Sequence, residues 1–151
     1  MPPLKIYPRI PQLLGYGGLL PMLALLFGLW HWPQLADQLV DAATLYVGAI
    51  FSFLGGLQWG LALQEDTEQL LDAEVTLRLI VGVIPSLITV CALLMPVLYG
   101  GACLITGLWL LLAYERYWRA NKGLPCWYLT LRLNLTIMLS GSLAAILWLA
   151  V

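Results

Sequence analysis

The stretch TLYVGAIFSFLGGLQWGLAL, residues 44–63, decides the fold, because it runs for twenty residues without a charged side chain. About 20 apolar residues are the length that an α-helix needs to cross the hydrocarbon core of a bilayer. Lipid offers the backbone no hydrogen-bond partners, and a helix satisfies its backbone groups internally. The stretch is therefore predicted to be a membrane-spanning helix.

The rest of the chain has the same character. Of its 151 residues, 62% are hydrophobic and only 10% are charged, and the mean hydropathy is +0.89, far from the values of soluble domains. Apolar runs of spanning length occur at about 11–31, 39–63, 76–97, 99–118 and 128–150. We therefore predict an all-α, polytopic membrane protein in which residues 1–151 form a single bundle of five transmembrane helices.

The positive charges predict an orientation, because short loops rich in Lys and Arg stay on the cytoplasmic side. With five spans, all seven Lys and Arg residues fall on one side of the membrane. They are Lys5, Arg9, Arg78, Arg116, Arg119, Lys122 and Arg132. The N-terminus is therefore predicted to be cytoplasmic and the C-terminus periplasmic.

The sequence argues against several classes of function. A net charge of −1 gives no electrostatic reason to expect a nucleic-acid partner. Cys91, Cys103 and Cys126 have no C-x-x-C spacing, and His31 is the only histidine, so no cofactor and no metal site is predicted. No nucleophile has a base beside it in a known motif, and an enzyme is the least favoured class.

Small residues recur at every fourth position of the second span, at Gly48, Ser52, Gly56 and Gly60. This spacing is typical of faces on which two membrane helices approach closely. Each glycine costs a helix about 1 kcal/mol relative to alanine, so the stripe is expected to have a packing role. Whether it packs within the chain or against another chain is open at the level of sequence.

A second set of residues is polar and is predicted to lie in the cytoplasmic half of the bundle. Gln58 falls on a different side of its helix from the glycine stripe. The guanidinium of Arg132 can reach the lipid headgroups or pair with a carboxylate across the turn between the last two spans, and Glu115 is the nearest candidate partner. The set provides interhelical contacts or, alternatively, lines a pocket for an anionic or quinone-like headgroup. The candidates are Gln58, Trp59, Arg78, Glu115, Arg132 and Asn134.

Two further features are predicted from local sequence. Pro21 and Pro85 each follow a glycine three residues earlier inside an apolar run, and both are expected to bend their helices. The connection LQEDTEQLLDAEVTLR, residues 63–78, combines five acidic residues with a leucine pair and is predicted to form a short amphipathic helix.

Four segments together carry a resemblance. LGYGGLLP, SFLGGLQWGLAL, GVIPSL and WYLTLRLNLT, in that order, resemble the family called domain of unknown function 3429, which includes the mitochondrial transmembrane protein 69. The resemblance implies a small multi-pass protein of the bacterial inner membrane. Members of the family often have His at the position of Gln58, so a proton-transfer or metal role does not carry over to Gln58, whereas a hydrogen-bonding role does.

Two functions follow as expectations. The first is a non-enzymatic accessory subunit or assembly factor of a membrane complex, in contact with lipids and with a membrane-protein partner or further copies of itself. The alternative is a protein that binds or transports a small molecule, quinone or lipid through a pocket in the cytoplasmic half of the bundle.

Overall fold

The computed structural model describes residues 9–63, 73–122 and 126–150. Within these ranges the chain forms helices and no strand. The helices are α1 (Arg9–Gly17), α2 (Leu20–His31), α3 (Ala36–Ala62), α4 (Ala73–Leu94), α5 (Val97–Lys122) and α6 (Cys126–Ala150), with a short 3₁₀ turn at Pro33–Leu35. Lys5 and most of the acidic connection, residues 64–72, lie outside the described residues, and so does most of the amphipathic helix predicted there.

Five segments of the described chain are long and apolar enough to cross a membrane. They are Arg9–His31, Pro33–Ala62, Val75–Leu94, Val97–Tyr117 and Trp127–Ala150. The predicted all-α class and the five apolar helices are therefore confirmed.

The first span is broken into two helices. α1 ends at Gly17 and α2 begins at Leu20, so Pro21 stands in the first turn of α2. Proline suits that position, because the first turn of a helix has no internal partner for its N–H groups. The side chain of Tyr46, on α3, donates a hydrogen bond to the Gly18 carbonyl at 2.6 Å. Thus the sequence predicted a bent helix at Pro21, and the structure has a break closed by a neighbouring helix.

α3 is the central helix, with contacts to α2, α4, α5 and α6. Its face with Val47, Phe51, Gly55 and Gln58 is buried. The apolar core around Phe51 includes Met22, Leu104, Leu108, Leu143 and Ile146 from the other helices. Because α3 touches four other helices, side chains on its different sides lie in separate interfaces.

Small residues allow α3 and α4 to approach each other closely. A Cβ on Gly55 would lie 2.5 Å from the carbonyl oxygen of Gly82 and 2.9 Å from Cγ of Pro85, and one on Gly48 would lie 2.7 Å from Cγ2 of Thr89. Neither position has room for a larger residue. Pro85 lies inside α4, which is helical on both sides of it.

The predicted glycine stripe is divided by the packing of α3. Gly48 and Ser52 face α4, and Ser52 donates to Oγ1 of Thr89 at 3.1 Å. Gly56 and Gly60 are exposed, and a Cβ on either would have no atom within 4 Å. Residues four apart drift by about 40° per step around a helix, so the face toward α4 continues at Gly55 and Trp59 instead.

Candidate functional site

Three helices meet at a buried set of polar side chains, here called the polar cluster: Gln58 of α3, Glu115 of α5, and Arg132 and Thr136 of α6. Nε2 of Gln58 donates to Oε1 of Glu115 at 3.0 Å, and Nε of Arg132 donates to Oε2 of Glu115 at 3.0 Å. Nη1 of Arg132 donates to Oγ1 of Thr136 at 2.9 Å. The structure thus contains the Glu115–Arg132 pair, one of the two alternatives for Arg132 in the sequence, and adds Gln58 to it.

The local structure explains why these residues meet. Gln58 lies near the end of α3, Glu115 near the end of the α5 span and Arg132 near the beginning of the α6 span. These three ends are at the same side of the bundle, because successive antiparallel spans place them there. Thr136 follows Arg132 by four residues, and two residues four apart occupy the same face of a helix.

The side chains of the polar cluster are almost fully buried. The exposed fractions of Gln58, Glu115, Arg132 and Thr136 are 2%, 2%, 3% and 0%. The carboxylate and the guanidinium carry opposite charges, and each carboxylate oxygen accepts a hydrogen bond. Pairing of this kind is what allows two charges to be buried, since an isolated charge in an apolar interior is very costly.

One nitrogen of the cluster remains without an acceptor. Nη2 of Arg132 is buried and makes no hydrogen bond within the part of the chain that the structure describes. Tyr128 stands one turn before Arg132 on α6. The cluster can therefore stabilise the packing of three helices, and its Nη2 edge can offer a hydrogen bond to one further oxygen.

Trp59 and Asn134, two of the remaining candidate residues, lie elsewhere. Trp59 belongs to the α3–α4 interface, where its Nε1 donates to the Leu79 carbonyl at 2.9 Å and its ring covers Gly82. Gln58 instead points toward α5 and α6. Consecutive residues on a helix differ by about 100°, so the two side chains do not share the wall of one pocket.

Asn134 contacts a helix outside the polar cluster. Nδ2 of Asn134 donates to the hydroxyl of Tyr16 at 3.2 Å, which joins α6 to α1. Arg78 is buried on α4, with 4% of its surface exposed. Trp59 and Asn134 therefore serve interfaces other than that of the polar cluster.

An apolar cavity of about 160 Å³ lies between α3, α4 and α5. Phe51 and Gly107 form part of its wall, and Tyr114 contributes the phenol group. Its full lining is Phe51, Val81, Ile84, Pro85, Ile88, Gly107, Leu110, Leu111 and Tyr114. Arg132 and Gln58 are not among these residues, so the cavity and the polar cluster are distinct.

Hydroxyl groups are the contacts that sequence reasoning missed. Thr89 connects α4 to α3 through Gly48 and Ser52, and Thr136 connects to Arg132. Spacing gives a signal for Thr136, which stands four residues after a buried arginine. No spacing marks the contact of Thr89 with Gly48 and Ser52, because these two partners are on another helix.

The metal-binding residue types are scattered in the structure. Within residues 9–63, 73–122 and 126–150, no three His, Cys, Asp or Glu residues are grouped closely enough to hold a metal ion. Cys91 and Cys103 are free thiols. His31 stacks on Phe27 at a ring-centroid distance of 4.5 Å and also contacts Trp30 and Trp32 edge to face, in an exposed aromatic group.

Comparison with known proteins gives a family. No curated protein and no solved structure shows significant similarity to the chain. The family model described as "Protein of unknown function (DUF3429)" matches residues 7–148, which include all five apolar segments except the last residues of the fifth. With its five apolar helices and their buried Gln58–Glu115–Arg132 contact, the chain belongs to the DUF3429 family.

Proposed function

We propose that this protein is a non-enzymatic accessory subunit or assembly factor of a larger membrane complex. The proposal is carried by the exposed small-residue surface of α3, defined by Ala49, Gly56 and Gly60. A Cβ on Gly56 or Gly60 would meet no described atom within 4 Å, whereas Gly48 and Gly55 on the same helix are covered by α4.

Glycines that face lipid lower the stability of a helix, and contact with lipid does not offset this loss. Glycine weakens a helix by about 1 kcal/mol relative to alanine, and lipid tails pack equally well against larger apolar residues. Membrane helices associate instead through close backbone approach at small residues. An exposed glycine pair one turn apart is therefore the surface on which another helix fits.

The polar cluster supports the same function. Its charges are paired with each other inside the chain, and its side chains are almost fully buried. Such a cluster fixes how α3, α5 and α6 pack, which gives the exposed face of α3 a defined position. A scaffold of this kind presents a helix surface to a partner and needs no reaction of its own.

The membrane and the orientation are part of the proposal. We place the protein in the bacterial inner membrane, with its N-terminus in the cytoplasm and its C-terminus in the periplasm. The support is the charge distribution of the sequence, in which Lys and Arg occupy the connections of one side. Reporter fusions test it: a periplasm-dependent phosphatase fused after Val151 is expected to be active, and an inactive fusion would contradict the orientation.

The experiment for the accessory role uses Gly56→Leu with Gly141→Leu as its matched control. Both glycines are exposed on spanning helices, and a Cβ on either meets nothing within 4 Å. Each variant is extracted from native membranes in mild detergent and weighed by native mass spectrometry. We expect a heteromeric mass for the wild type and the control, and a lone chain for Gly56→Leu.

Two results would overturn the accessory role. One is a wild-type protein that carries no partner chain in its native membranes. The other is a complex that survives Gly56→Leu without loss. Equal dissociation of the complex in both variants would show that the partner chain does not bind at the glycine surface of α3.

A second function, binding or transport of a quinone-like or other small apolar molecule, is favoured by one observation. The cavity between α3, α4 and α5 is apolar, and Ile84 and Leu110 on its wall are exposed at the surface of the bundle. Ile84→Trp fills this cavity, while Ile80→Trp, one turn away and outside the lining, is the control. Loss of a copurified small molecule only in Ile84→Trp would support binding, and retention in both would contradict it.

A further inference from the structure

A groove runs between α1 and α6 at the end of the bundle where α1 begins. Its inner part has a volume of about 250 Å³ and is lined by Gln12, Tyr16, Trp127, Thr130, Leu131 and Asn134. Its outer part is a shallow, open depression on the first span alone, lined by Arg9, Gln12, Leu13, Tyr16, Gly17 and Leu20. The two parts share Gln12 and Tyr16, so they form one continuous surface, here called the α1–α6 groove.

The inner part of the groove is polar. It contains the amides of Gln12 and Asn134, the hydroxyls of Tyr16 and Thr130, and the indole of Trp127. The hydrogen bond from Asn134 to Tyr16 at 3.2 Å fixes two of these groups relative to each other. Tryptophan and tyrosine are typical of the headgroup level of a membrane, so this part of the groove is placed at the interface.

The outer part combines one positive charge with an apolar path. Arg9 is exposed at the first residue of α1, and Leu13, Gly17 and Leu20 follow it along one side of the first span. A Cβ on Gly17 would meet nothing within 4 Å, which leaves the path open at that residue. Among the described residues, neither part of the groove has an Asp or Glu in its lining, and Arg9 gives this lining a positive charge.

The groove is not a result of loose packing between the two helices. A Cβ on Gly15 would lie 3.1 Å from Cδ1 of Leu135 and 3.4 Å from Cδ1 of Leu131. α1 is therefore held closely against α6 at Gly15, and the groove lies beside this contact. A cleft with fixed walls is a better binding surface than one that must first be ordered.

We propose that the α1–α6 groove binds one anionic phospholipid. Arg9 pairs with the lipid phosphate, the side-chain amides of Gln12 and Asn134 donate to the ester carbonyls of the glycerol, and an acyl chain lies along Leu13, Gly17 and Leu20. The order of these groups along α1, a cation, then amides, then an open apolar path, matches the order of phosphate, glycerol esters and acyl chain in the lipid. The site is separate from the glycine surface of α3 and does not depend on the accessory role.

The test is native mass spectrometry of the full chain equilibrated in detergent with equimolar phosphatidylglycerol and phosphatidylcholine. The wild type is expected to retain one phosphatidylglycerol in preference to phosphatidylcholine. Removing one positive charge in Arg9→Gln is expected to lower this preference about fivefold. Arg116→Gln is the matched control, since Arg116 is also exposed but is absent from the groove lining, and it is expected to keep the preference.

Gly17→Leu tests the acyl path without changing charge. The larger side chain fills the open space beside Gly17, and the variant is expected to lose the retained lipid of either headgroup. The proposal is overturned if the wild type shows no preference, if Arg9→Gln keeps it, or if Gly17→Leu still retains the lipid. Equal losses in Arg9→Gln and Arg116→Gln would also overturn it, because they would indicate general attraction to the charged surface.

Discussion

Arg132 donates from Nε to Oε2 of Glu115 at 3.0 Å, and the two side chains have only 3% and 2% of their surface exposed. The contact joins the last two helices, and Gln58 adds the central helix α3 through the other carboxylate oxygen. A single carboxylate therefore connects three of the spans.

Removing one charge of the pair is expected to cost more than removing both. Arg132→Leu leaves the Glu115 carboxylate buried without its counter-charge, and breaking buried pairs in this way typically costs about 3–5 kcal/mol. The double variant Glu115→Leu/Arg132→Leu leaves no buried charge and is expected to be more stable than Arg132→Leu. Equilibrium unfolding in mixed micelles measures all three proteins. A double variant less stable than Arg132→Leu would show that the unpaired Glu115 carboxylate is not what destabilises Arg132→Leu.

Gln58 is expected to contribute to the stability of the fold through its hydrogen bond to Glu115. Gln58→Leu removes the donor to Glu115 and should lower the free energy of unfolding by about 0.6 kcal/mol, the average for hydrogen bonds between membrane helices. Gln58→His keeps an N–H donor and should lose less. Gln38→Leu, an exposed position on the same helix, is the control and should be neutral. Equal stability of Gln58→Leu and the wild type would show that the amide contributes nothing.

Two adjacent glycines on α3 are expected to respond to alanine in opposite directions. Gly55→Ala places a methyl group 2.5 Å from the Gly82 carbonyl oxygen, and overpacking of this kind costs about 1–3 kcal/mol. Gly56→Ala meets no atom and should stabilise the isolated chain by up to about 1 kcal/mol through helix propensity. Thermal unfolding of the purified monomer compares them. Similar changes in both variants would contradict the α3–α4 packing described above.

The hydroxyl of the buried Thr89 is expected to matter more than that of Thr106, an exposed threonine on α5. Thr89 lies within hydrogen-bond distance of the Gly48 and Pro85 carbonyls and accepts from Ser52, whereas Thr106 bonds only the Ala102 carbonyl of its own helix among the described contacts. Thr89→Val keeps the shape but removes the bonds between α3 and α4, so it should be less stable than Thr106→Val. Denaturant titration of both variants measures which of them has the lower free energy of unfolding.

Much of the fold was accessible from sequence because the bilayer allows few solutions. The number of spans follows from run length, and the burial of Gln58 with Phe51 and Gly55 follows from helical periodicity. The partner of Gln58 does not follow, since periodicity gives a direction on one helix and no distance to another. The sequence predicts a packing face with a small residue at every fourth position. In the structure, the residues of α3 that face α4 follow one another at intervals of four and three residues, because an α-helix has 3.6 residues per turn.

The broken first span has a consequence for how the chain enters the membrane. Pro21 has no N–H, so the Gly17 carbonyl loses its usual helical donor, and the Gly18 carbonyl is satisfied by the Tyr46 hydroxyl of α3. A nascent first span alone would present these oxygens to hydrocarbon, where they have no donor. We therefore expect the translocation machinery to release the first two spans together, as one hairpin closed by Tyr46.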